Sequence, residues 1–512
     1  MKKYNYVVVG SGCAGLVAAL ELASKGKKTL LIEQHNLPGG CASSFVRGRF
    51  EFDPSLHELC SVGSAEKPGS VRQLIEEYGV NVDWNRVDDC FRIISKYSDG
   101  SPMDVTMPAG KDEFIDKMEY YVPGSRKAML DMFELFDECA RGIDYFSSCK
   151  GDPDVKVLIK EYPNMLRTGY YACDKVFDAL GLPKKAQDIM ATYWSYLGVD
   201  MEHLSFTHYA LMVNNYIGLA AYIPSHTSHE ISVAMTERFR ELGGEIWFNC
   251  RAEKFLFKGS RCCGVETTHG TIECDCVLAN INPDIIYGKM MPSHLVPERE
   301  KRLSAARARE FGARMFTAYF GLNKTAEELG IKDYSIFLSG TSDSAKEYAD
   351  MARIATNKYS IFLCYNVANP KMSPEGTSIC SFTTFFSSAE DWNNMKPEDY
   401  NEAKTKIVEG FLADLKEKAG IDISPYIEEV SIATPWTFAR YLGVPEGSVY
   451  GYMTKDWDSI ITRSMMLDAD YTIDGLIPIG TSGPRGDGYS SAYTCGQLMA
   501  RLAMGKQKGG NK

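Results

Sequence analysis

One β-α-β unit near the start of the chain constrains the fold more than any other feature. The apolar run Tyr6–Val9 predicts a buried parallel strand, and the Ala- and Leu-rich residues 16–24 predict the helix that follows it. Thr29–Ile32 predicts a second strand. The three elements fit within about thirty residues, which is the length that such a unit needs.

The loop between the first strand and the helix carries the spacing Gly10-x-Gly12-x-x-Gly15. Gly10 permits a tight turn, Gly12 lets the backbone approach a pyrophosphate, and Gly15 allows the helix to pack closely on the strand. Cys13 and Ala14 supply backbone amides in the first helical turn, at the positively polarised end of the helix. In this context the motif predicts a dinucleotide site.

Glu33 stands at the end of the second predicted strand, where a carboxylate can accept both hydroxyls of a ribose. The same negative charge disfavours a 2′-phosphate, so NADP is a poor fit to this site. Gly39 and Gly40 follow shortly afterwards, and two glycines there let the chain pass the ribose and phosphates without side-chain obstruction.

A second glycine-rich element lies far along the chain. Gly475–Gly480 is a strand-like run that ends in glycine, residues 481–488 form a glycine-rich loop, and residues 492–504 predict a helix. A second strand, loop and helix suit an elongated flavin cofactor, because the N-terminus of the helix can face the electron-rich edge of the flavin ring. The sequence therefore predicts FAD rather than NAD.

Composition excludes several other classes of protein. The 512 residues include 56 basic and 67 acidic side chains, and the net charge of −11 argues against nucleic acid as a partner. No secretory leader is evident, so we expect a cytoplasmic location with most of the 15 cysteines as free thiols. The Cys and His spacings predict no metal site. No run of about 18 apolar residues predicts a membrane-spanning helix, and peripheral contact with a membrane is left open.

The chain is too long for one compact core, and the pattern of predicted elements divides it into two interleaved domains. We predict an α/β fold in which a discontinuous FAD-binding domain of Rossmann type is interleaved with a substrate domain of mixed sheet plus helices. The FAD-binding domain is assigned residues 1–70, 205–292 and 430–506. The substrate domain is assigned 71–204, expected to be mostly helical, and 293–429. Residues 507–512 are predicted to be a disordered tail.

Longer stretches of sequence point to one family. They are Phe52-Asp53-Pro54-Ser55-Leu56-His57, residues 108–114 and 121–124, Asn280-Ile281-Asn282-Pro283, Pro374-Glu375-Gly376, Thr434-Pro435-Trp436-Thr437 and Gly447-Ser448-Val449-Tyr450-Gly451. With the glycine motif, they make the chain similar over nearly its full length to the phytoene desaturase superfamily of FAD-dependent oxidoreductases, in particular its carotenoid isomerase and retinol saturase branches. The resemblance implies a two-domain fold of the flavoprotein-oxidase type.

Carried over residue by residue, the resemblance assigns positions along the cofactor. Gly10, Gly12, Cys13 and Ala14 would lie at the pyrophosphate. The remaining assignments are Glu33 and Gln34 near the adenosine ribose, Gly40 and Cys41 along the cofactor, Ala252 at the adenine through its backbone, and Gly480, Asp487, Gly488 and Tyr489 along the ribityl chain and flavin.

The chain departs from the family pattern in two loops and at Ser55, which replaces a common glycine. Residues 224–229 include His226 and His229 where the family has a Pro-x-Gly-Gly stretch, and residues 485–488 include Arg485 where it has Pro-Gly-Gly-Gly. These changes add imidazole and charge near positions that face the flavin, which argues against a substrate that is only hydrocarbon. His57, His226, His229 and Arg485 are the candidate catalytic residues, for proton transfer or for recognition of a carboxylate or carbonyl. The structural alternative is that each histidine holds a loop and that Arg485 pairs with an acid such as Asp487.

The predicted function is an FAD-dependent oxidoreductase that acts on C–C or C=C bonds of a lipophilic unsaturated substrate, such as a carotenoid, retinoid, enone or fatty acid, by hydride transfer at flavin N5. Three alternatives stay open at this point. They are a double-bond isomerase without net redox change, an amine oxidase on the same architecture, and a non-enzymatic lipid-binding escort protein, because the predicted fold resembles that of GDP-dissociation inhibitors.

Overall fold

Two large sheets organise the chain in the computed structural model, which describes residues 3–149, 152–453, 460–465, 473–480 and 488–509. The strands are β1 (Tyr4–Val9), β2 (Thr29–Ile32), β3 (Phe45–Arg47), β4 (Phe50–Phe52), β5 (Trp84–Val87), β6 (Asp89–Lys96), β7 (Pro102–Pro108), β8 (Ala221–Pro224), β9 (Glu245–Trp247), β10 (Ala252–Lys258), β11 (Arg261–Thr267), β12 (Gly270–Ala279), β13 (Arg314–Leu322), β14 (Ser335–Leu338), β15 (Ser360–Cys364), β16 (Ser378–Phe386), β17 (Ile427–Ala433) and β18 (Leu476–Pro478).

Helices connect and cover these strands. The helices are α1 (Cys13–Ser24), α2 (Ser70–Glu77), α3 (Lys111–Tyr121), α4 (Arg126–Ser148), α5 (Val155–Glu161), α6 (Pro163–Thr168), α7 (Cys173–Ala179), α8 (Lys184–Met190), α9 (Phe206–Leu219), α10 (His229–Glu241), α11 (Pro283–Ile285), α12 (Glu298–Ala305), α13 (Ser344–Asp350), α14 (Tyr365–Ala368), α15 (Glu390–Asn394), α16 (Tyr400–Asp414), α17 (Pro435–Leu442), α18 (Ile460–Met465) and α19 (Tyr489–Gly509). None of those in the described ranges combines the length and the apolarity that a membrane crossing requires.

The first sheet contains a parallel layer in the order β9-β2-β1-β12-β18. Strands β1 and β2 are apolar and almost wholly buried, as expected for parallel strands covered by helices on both faces. Helix α1 begins at Cys13, three residues earlier than the sequence predicts, because Gly12 has extended backbone and acts as the N-cap. The strand–helix–strand order confirms the predicted α/β class with a Rossmann-type layer.

Strand β12 brings distant parts of the chain to one edge of this layer. Its first half pairs with β11 in the antiparallel direction, which extends the sheet to β10. Its last residues run parallel to β1 on one side and to β18 on the other, with Ala279 opposite both Val9 and Pro478. The last residues of β1 and β18 therefore lie at the same edge of the sheet, on either side of Ala279.

The second sheet has the order β17-β13-β16-β15-β14-β6-β7, and only the β14–β6 pair is parallel among its described strands. Two of its strands, β6 and β7, come from the stretch that the sequence predicts to be mostly helical, and that prediction is wrong there. Met103, Val105 and Met107 are buried while their neighbours in β7 are more exposed. This two-residue alternation is typical of a strand, and the turn at Gly100 joins it to β6.

The second sheet draws its strands from both segments that the sequence assigns to the substrate domain, and β17 continues to Ala433. A small sheet of β5 and β8 and a bridge between Leu59 and Tyr222 link it to the first sheet. The domain limits themselves stay a prediction. Helix α19 continues to Gly509, into the segment that the sequence predicts to be disordered. All 15 cysteines are free thiols, as the sequence predicts for most of them.

Candidate functional site

The glycine loop between β1 and α1 has a geometry that excludes larger residues. Gly10 has a φ of +89°, in the left-handed region that favours glycine. A Cβ at Gly15 would lie 1.9 Å from the carbonyl oxygen of Gly10, so the loop and the first turn of α1 pack too closely for a side chain. No side chain caps the N-terminus of α1. The amides at Cys13 and Ala14 are therefore not engaged by a capping side chain and suit an anion such as a phosphate.

Asn280 lies between Gly12 of the first glycine loop and Gly480, which follows β18. It follows β12, and its backbone N–H donates to the carbonyl of Val9 at 2.8 Å. A Cβ at Gly12 would lie 2.9 Å from Asn280 Nδ2, and a Cβ at Gly480 would lie 2.4 Å from Asn280 Oδ1. Gly12 and Gly480 thus flank one amide side chain, although most of the chain separates them in sequence. Side chains at either glycine would fill this cradle, which fits the close approach of a cofactor.

Sequence reasoning did not select Asn280 as a site residue. Its stretch, Asn280-Ile281-Asn282-Pro283, carried part of the family resemblance, and its position directly after a predicted strand was visible. The carboxyl ends of parallel strands are where ligands bind in such sheets. That rule, applied to the third strand of the layer, could have found Asn280.

Glu33, which the sequence predicts to lie at the adenosine ribose, is held rigidly by the chain. Its Oε2 accepts hydrogen bonds from the N–H and the hydroxyl of Ser11 at 2.7 and 2.8 Å, and its Oε1 accepts from the N–H of His35 at 2.8 Å. A carboxylate offers about four acceptor positions. The chain therefore fixes the orientation of Glu33 and leaves Oε1 able to accept from a ribose hydroxyl.

Other predicted residues of the adenosine end lie around Glu33. Its carbonyl accepts from the N–H of Cys250, two residues before Ala252 at the start of β10. Gln34 is exposed next to it. This arrangement is compatible with the predicted positions of Gln34 and Ala252.

The loop at Gly39 and Gly40 lies directly on the first glycine loop. The N–H of Gly39 donates to the carbonyl of Ser11 at 2.9 Å, and a Cβ at Gly40 would lie 3.2 Å from the Cα of Gly12. Gly40 has a φ of +61° and is exposed. The two loops therefore form one continuous wall of backbone without side chains.

The start of α19 meets the end of this wall. The Tyr489 hydroxyl donates to the carbonyl of Cys41 at 2.9 Å and lies 2.8 Å from the hydroxyl of Ser55. Further along α19, a Cβ at Gly496 would lie 2.2 Å from the carbonyl of Ala14 in α1, so the two helices pack in close contact. Gly488 precedes the helix with a φ of +84°. The predicted residues Arg485 and Asp487 lie outside the described residues.

Asp53 anchors the segment that leads from this wall to the second sheet. Its buried carboxyl accepts from the N–H groups of Ser228 at 2.6 Å, Leu56 at 2.8 Å and Ser55 at 3.2 Å. Burial raises the pKa of Asp53 to about 6, and these hydrogen bonds oppose the rise. Asp53 thus ties residues 55–56 to the start of α10.

Tyrosines of the second sheet hold the same segment from the other side. The hydroxyl of Tyr319 donates to the carbonyl of Pro54 at 2.6 Å, that of Tyr365 to Leu56 at 2.8 Å, and that of Tyr334 to His57. Tyr319 lies in β13, Tyr334 precedes β14 and Tyr365 follows β15. We call Tyr319, Tyr334 and Tyr365 the tyrosine clamp. It fixes the backbone of residues 54–57 between the two sheets.

The three candidate histidines have different surroundings. His57 is the one held between the sheets, with Nδ1 3.3 Å from the Tyr196 hydroxyl and Nε2 3.0 Å from the Thr383 hydroxyl. Burial lowers the pKa of His57 to about 4, so the ring is neutral at physiological pH and is not an imidazolium acid. His226 is exposed before α10. His229 begins α10 beside the carbonyls of Pro38 and Ala42, and burial lowers its pKa.

Glu58 is a buried carboxyl that sequence reasoning missed. Its side chain is 5% exposed, its Oε1 accepts from the Tyr196 hydroxyl at 2.9 Å, and its Oε2 has no hydrogen-bond partner within the described residues. Burial raises the pKa of Glu58 to about 8, so the neutral acid predominates at physiological pH. An acid in the apolar context Leu56-His57-Glu58-Leu59 was the available signal.

Comparisons with known proteins agree with this geometry. Residues 8–77 match a family model described as an NAD(P)-binding Rossmann-like domain. All-trans-retinol 13,14-reductase of Danio rerio is 27% identical over 87% of this chain and 77% of its own length. Prolycopene isomerase of Daucus carota is 24% identical over 98% of this chain and 80% of its own, and 1-hydroxycarotenoid 3,4-desaturase of a Flavobacterium is 24% identical over 97% and 98%. The predicted resemblance to the phytoene desaturase superfamily is confirmed.

Solved structures support the fold of this superfamily without identifying a substrate. A redesigned putrescine oxidase covers 98% of this chain and 99% of its own with a TM-score of 0.65 at 12% identity. A Rab GDI of Plasmodium falciparum covers 98% of both chains with a TM-score of 0.52 at 12% identity. Together with the cradle around Asn280, these likenesses confirm the two-domain α/β architecture and a site for a dinucleotide or flavin type of cofactor.

Proposed function

We propose that this chain is an FAD-dependent oxidoreductase that acts on C–C or C=C bonds of a lipophilic unsaturated substrate. The observation that carries the proposal is the cradle around Asn280, whose side chain lies against both Gly12 in the loop after β1 and Gly480 two residues after β18. A dinucleotide site needs the first loop, and a cofactor that extends beyond one Rossmann unit gives a use for the second. FAD is such a cofactor, since its flavin extends from the pyrophosphate.

The residues of the cradle have distinct roles in this proposal. The first turn of α1 at Cys13 and Ala14 would hold the pyrophosphate, and Glu33 would accept from the adenosine ribose. Gly480 and Tyr489 would lie along the ribityl chain and flavin. When bound, FAD supplies a hydride donor or acceptor at N5. Asp487 is assigned to the same part of the cofactor, and Arg485 stays a candidate for an anionic substrate group.

The centre between the two sheets supports a lipophilic substrate. Aromatic rings of Tyr193, Tyr196, Tyr216 and Phe337 pack against one another there, with ring centroids 5.0 to 6.0 Å apart. Relatives named for retinol, prolycopene and a carotenoid act on unsaturated apolar chains. The polar groups of His57 and Glu58 in the same region favour a substrate that carries a carbonyl or carboxyl on an unsaturated chain.

The absorption spectrum of the purified protein tests the cofactor. We expect bound flavin, and we expect Gly12→Ala to reduce its content at least about tenfold, because the added methyl group fills the cradle at a φ that alanine adopts readily. Gly410→Ala in α16 is the matched control, since a Cβ there meets nothing within 4 Å. A protein that stays colourless with added FAD would contradict the proposal and favour an escort function.

Anaerobic incubation with polyenes, enones and unsaturated fatty acids tests the reaction. We expect a product that differs from the substrate by the mass of two hydrogen atoms. An altered absorption spectrum at unchanged mass would favour a double-bond isomerase, the second candidate, which the prolycopene isomerase relative supports. Peroxide release with amines and no reaction with unsaturated substrates would instead favour an amine oxidase.

A further inference from the structure

We propose that Glu58 is the proton donor of this site, as a neutral carboxylic acid whose Oε2 hydroxyl faces the bound substrate. The inference deepens the proposed function and rests on it. Glu58 was absent from the candidates that the sequence offered. Three observations support this role: the hydrogen bonds that lead to Glu58, its position between the cofactor cradle and the second sheet, and the neutral groups around it.

The hydrogen bonds around Glu58 form a chain in which each donor and acceptor can be assigned. The Tyr196 hydroxyl donates to Glu58 Oε1 at 2.9 Å, so its oxygen is free to accept from His57 Nδ1 at 3.3 Å. With its proton on Nδ1, His57 accepts from the Thr383 hydroxyl at Nε2, at 3.0 Å. The Thr317 hydroxyl continues the chain, 3.1 Å from that of Thr383. The tautomer of His57 follows from this network.

The network leaves one atom of Glu58 available. Because Oε1 accepts from Tyr196, the acid proton belongs on Oε2, and Oε2 has no partner within the described residues. A buried polar group without a partner costs free energy of about 1–3 kcal/mol. Such a cost is understandable where a bound molecule completes the hydrogen bond. We therefore expect the Oε2 proton of Glu58 to form a hydrogen bond with the bound substrate.

The position of Glu58 connects the two halves of the site. Two residues later, the carbonyl of Cys60 accepts from the Ser490 hydroxyl at the start of α19, at 3.0 Å. One residue earlier, His57 contacts Thr383 in β16 of the second sheet. The carbonyl of Glu58 itself accepts from Tyr216 in α9 at 3.3 Å. Glu58 thus lies between the predicted flavin end of the cradle and the aromatic centre proposed for the substrate.

Neutral groups surround the carboxyl in the described part of the chain. The titratable groups that interact with Glu58 are phenols and thiols, together with the neutral ring of His57. The phenols and thiols are those of Tyr193 and Tyr196, which follow α8, Tyr216 of α9, Tyr334 and Tyr365 next to strands of the second sheet, Cys60, and Cys90 of β6. Burial raises the pKa of most of these groups as well. They leave a charge on Glu58 uncompensated, which favours the protonated carboxyl over the carboxylate.

The proposed step conserves atoms and electrons. In the direction of reduction, bound FAD in its reduced form would supply a hydride to one carbon of the double bond, and the other carbon takes the Oε2 proton of Glu58. The π pair becomes part of the second C–H bond, and Glu58 is left as a carboxylate. Tyr196 returns a proton to Oε1 and takes one from His57 Nδ1, rotation of the carboxyl restores the acid proton to Oε2, and water is the final source. In the direction of desaturation, the Glu58 carboxylate accepts the proton, and bound FAD in its oxidised form would supply the hydride acceptor.

Glu58→Gln tests the proposal, because the amide keeps the size and neutrality of the acid but cannot donate a carboxyl proton. Glu347→Gln is the matched control. Glu347 is another buried carboxyl, in α13, whose pKa burial raises to about 7, and it accepts from Ser339 away from this centre. Three quantities are measured on the flavin-loaded protein: the infrared C=O band of a protonated carboxyl at neutral pH, the rate of substrate conversion, and deuterium incorporation from D₂O.

We expect the infrared band of one protonated carboxyl to disappear in Glu58→Gln, with flavin content unchanged. We expect substrate conversion to fall about 10²–10⁴-fold, the usual contribution of a positioned acid. Wild type and Glu347→Gln should incorporate one solvent deuterium at the carbon that does not receive the hydride. Glu58→Asp should recover part of the rate, because it restores the proton at a shorter reach.

The other outcomes distinguish failure of the role of Glu58 from failure of the proposed function. An unchanged rate and unchanged label in Glu58→Gln would overturn the role of Glu58 while the proposed function stands. So would an unchanged infrared band, because Glu58 would then be ionised in the wild type. If the wild type loads flavin but converts no unsaturated substrate, the proposed function and the role of Glu58 fall together.

Discussion

The cofactor cradle and the centre between the sheets differ in the atoms that form them. The cradle is mostly backbone around the amide side chain of Asn280, because Gly10, Gly12, Gly40 and Gly480 carry no side chains. The centre is made of side chains. The tyrosine clamp comes from strands of the second sheet and the residues next to them, and the network around Glu58 includes Tyr196, which follows α8, and Tyr216 of α9. A backbone site depends on local conformation, whereas a side-chain site depends on tertiary packing.

This difference teaches how each region responds to change. In the cradle, a methyl group added at Gly10 or Gly15 meets a main-chain carbonyl that cannot move without moving a strand or helix. One added at Gly12 or Gly480 meets the side chain of Asn280. In the centre, removal of a hydroxyl leaves one acceptor unpaired and little else changed. The cradle should therefore be intolerant of small additions, and the centre should lose stability or activity in smaller, separable steps.

Gly15→Val should give the largest effect. Its side chain would begin 1.9 Å from the carbonyl oxygen of Gly10, so loop and helix must separate. We expect the free energy of unfolding to fall by about 4 kcal/mol or more, since overpacking of this severity exceeds the ordinary cost. Chemical denaturation followed by circular dichroism measures it. A stability loss no larger than that of an exposed substitution would mean that the loop adapts to a side chain. The cradle would then not be less tolerant of added atoms than the centre.

Glu58→Gln should change how stability depends on pH. The pKa of Glu58 is raised in the folded state from its ordinary 4.5 to about 8, so its contribution is fully present below the unfolded pKa and is lost as pH rises through about 8. Wild type should therefore lose about 4–5 kcal/mol of stability relative to Glu58→Gln between the unfolded pKa of 4.5 and the folded pKa of about 8, at about 1.4 kcal/mol per pKa unit. Denaturation at a series of pH values measures the difference. Parallel curves for the two proteins would argue against a buried neutral carboxyl.

Tyr365→Phe should give the smallest effect. The change removes one donor to the carbonyl of Leu56 and retains the ring, so we expect a loss of about 1 kcal/mol in the free energy of unfolding. Tyr120→Phe is the control, because the Tyr120 side chain is 75% exposed. A loss in Tyr365→Phe as large as that in Gly15→Val would remove the distinction between the two regions.

Sequence reasoning predicted the cradle better than the centre for a physical reason. The turn at Gly10, the helix start near Gly12 and the carboxylate of Glu33 are all encoded within one β-α-β unit. Glu58 and Asn280 acquire their surroundings only when distant strands pair, so their spacing in the chain carries little signal. His57 was selected, but the burial that keeps it neutral was not readable. Strands β6 and β7 were missed because neighbouring helical patterns outweighed a short alternation in burial.

The shared position of Asn280 has a consequence for biosynthesis. Gly10 is among the first residues to be translated, while Gly480 is added only after most of the chain has been made. Both must lie against Asn280 for the cradle to exist. A nascent chain that has folded its amino-terminal unit still lacks Gly480, so the site proposed for the cofactor can be completed only late in synthesis.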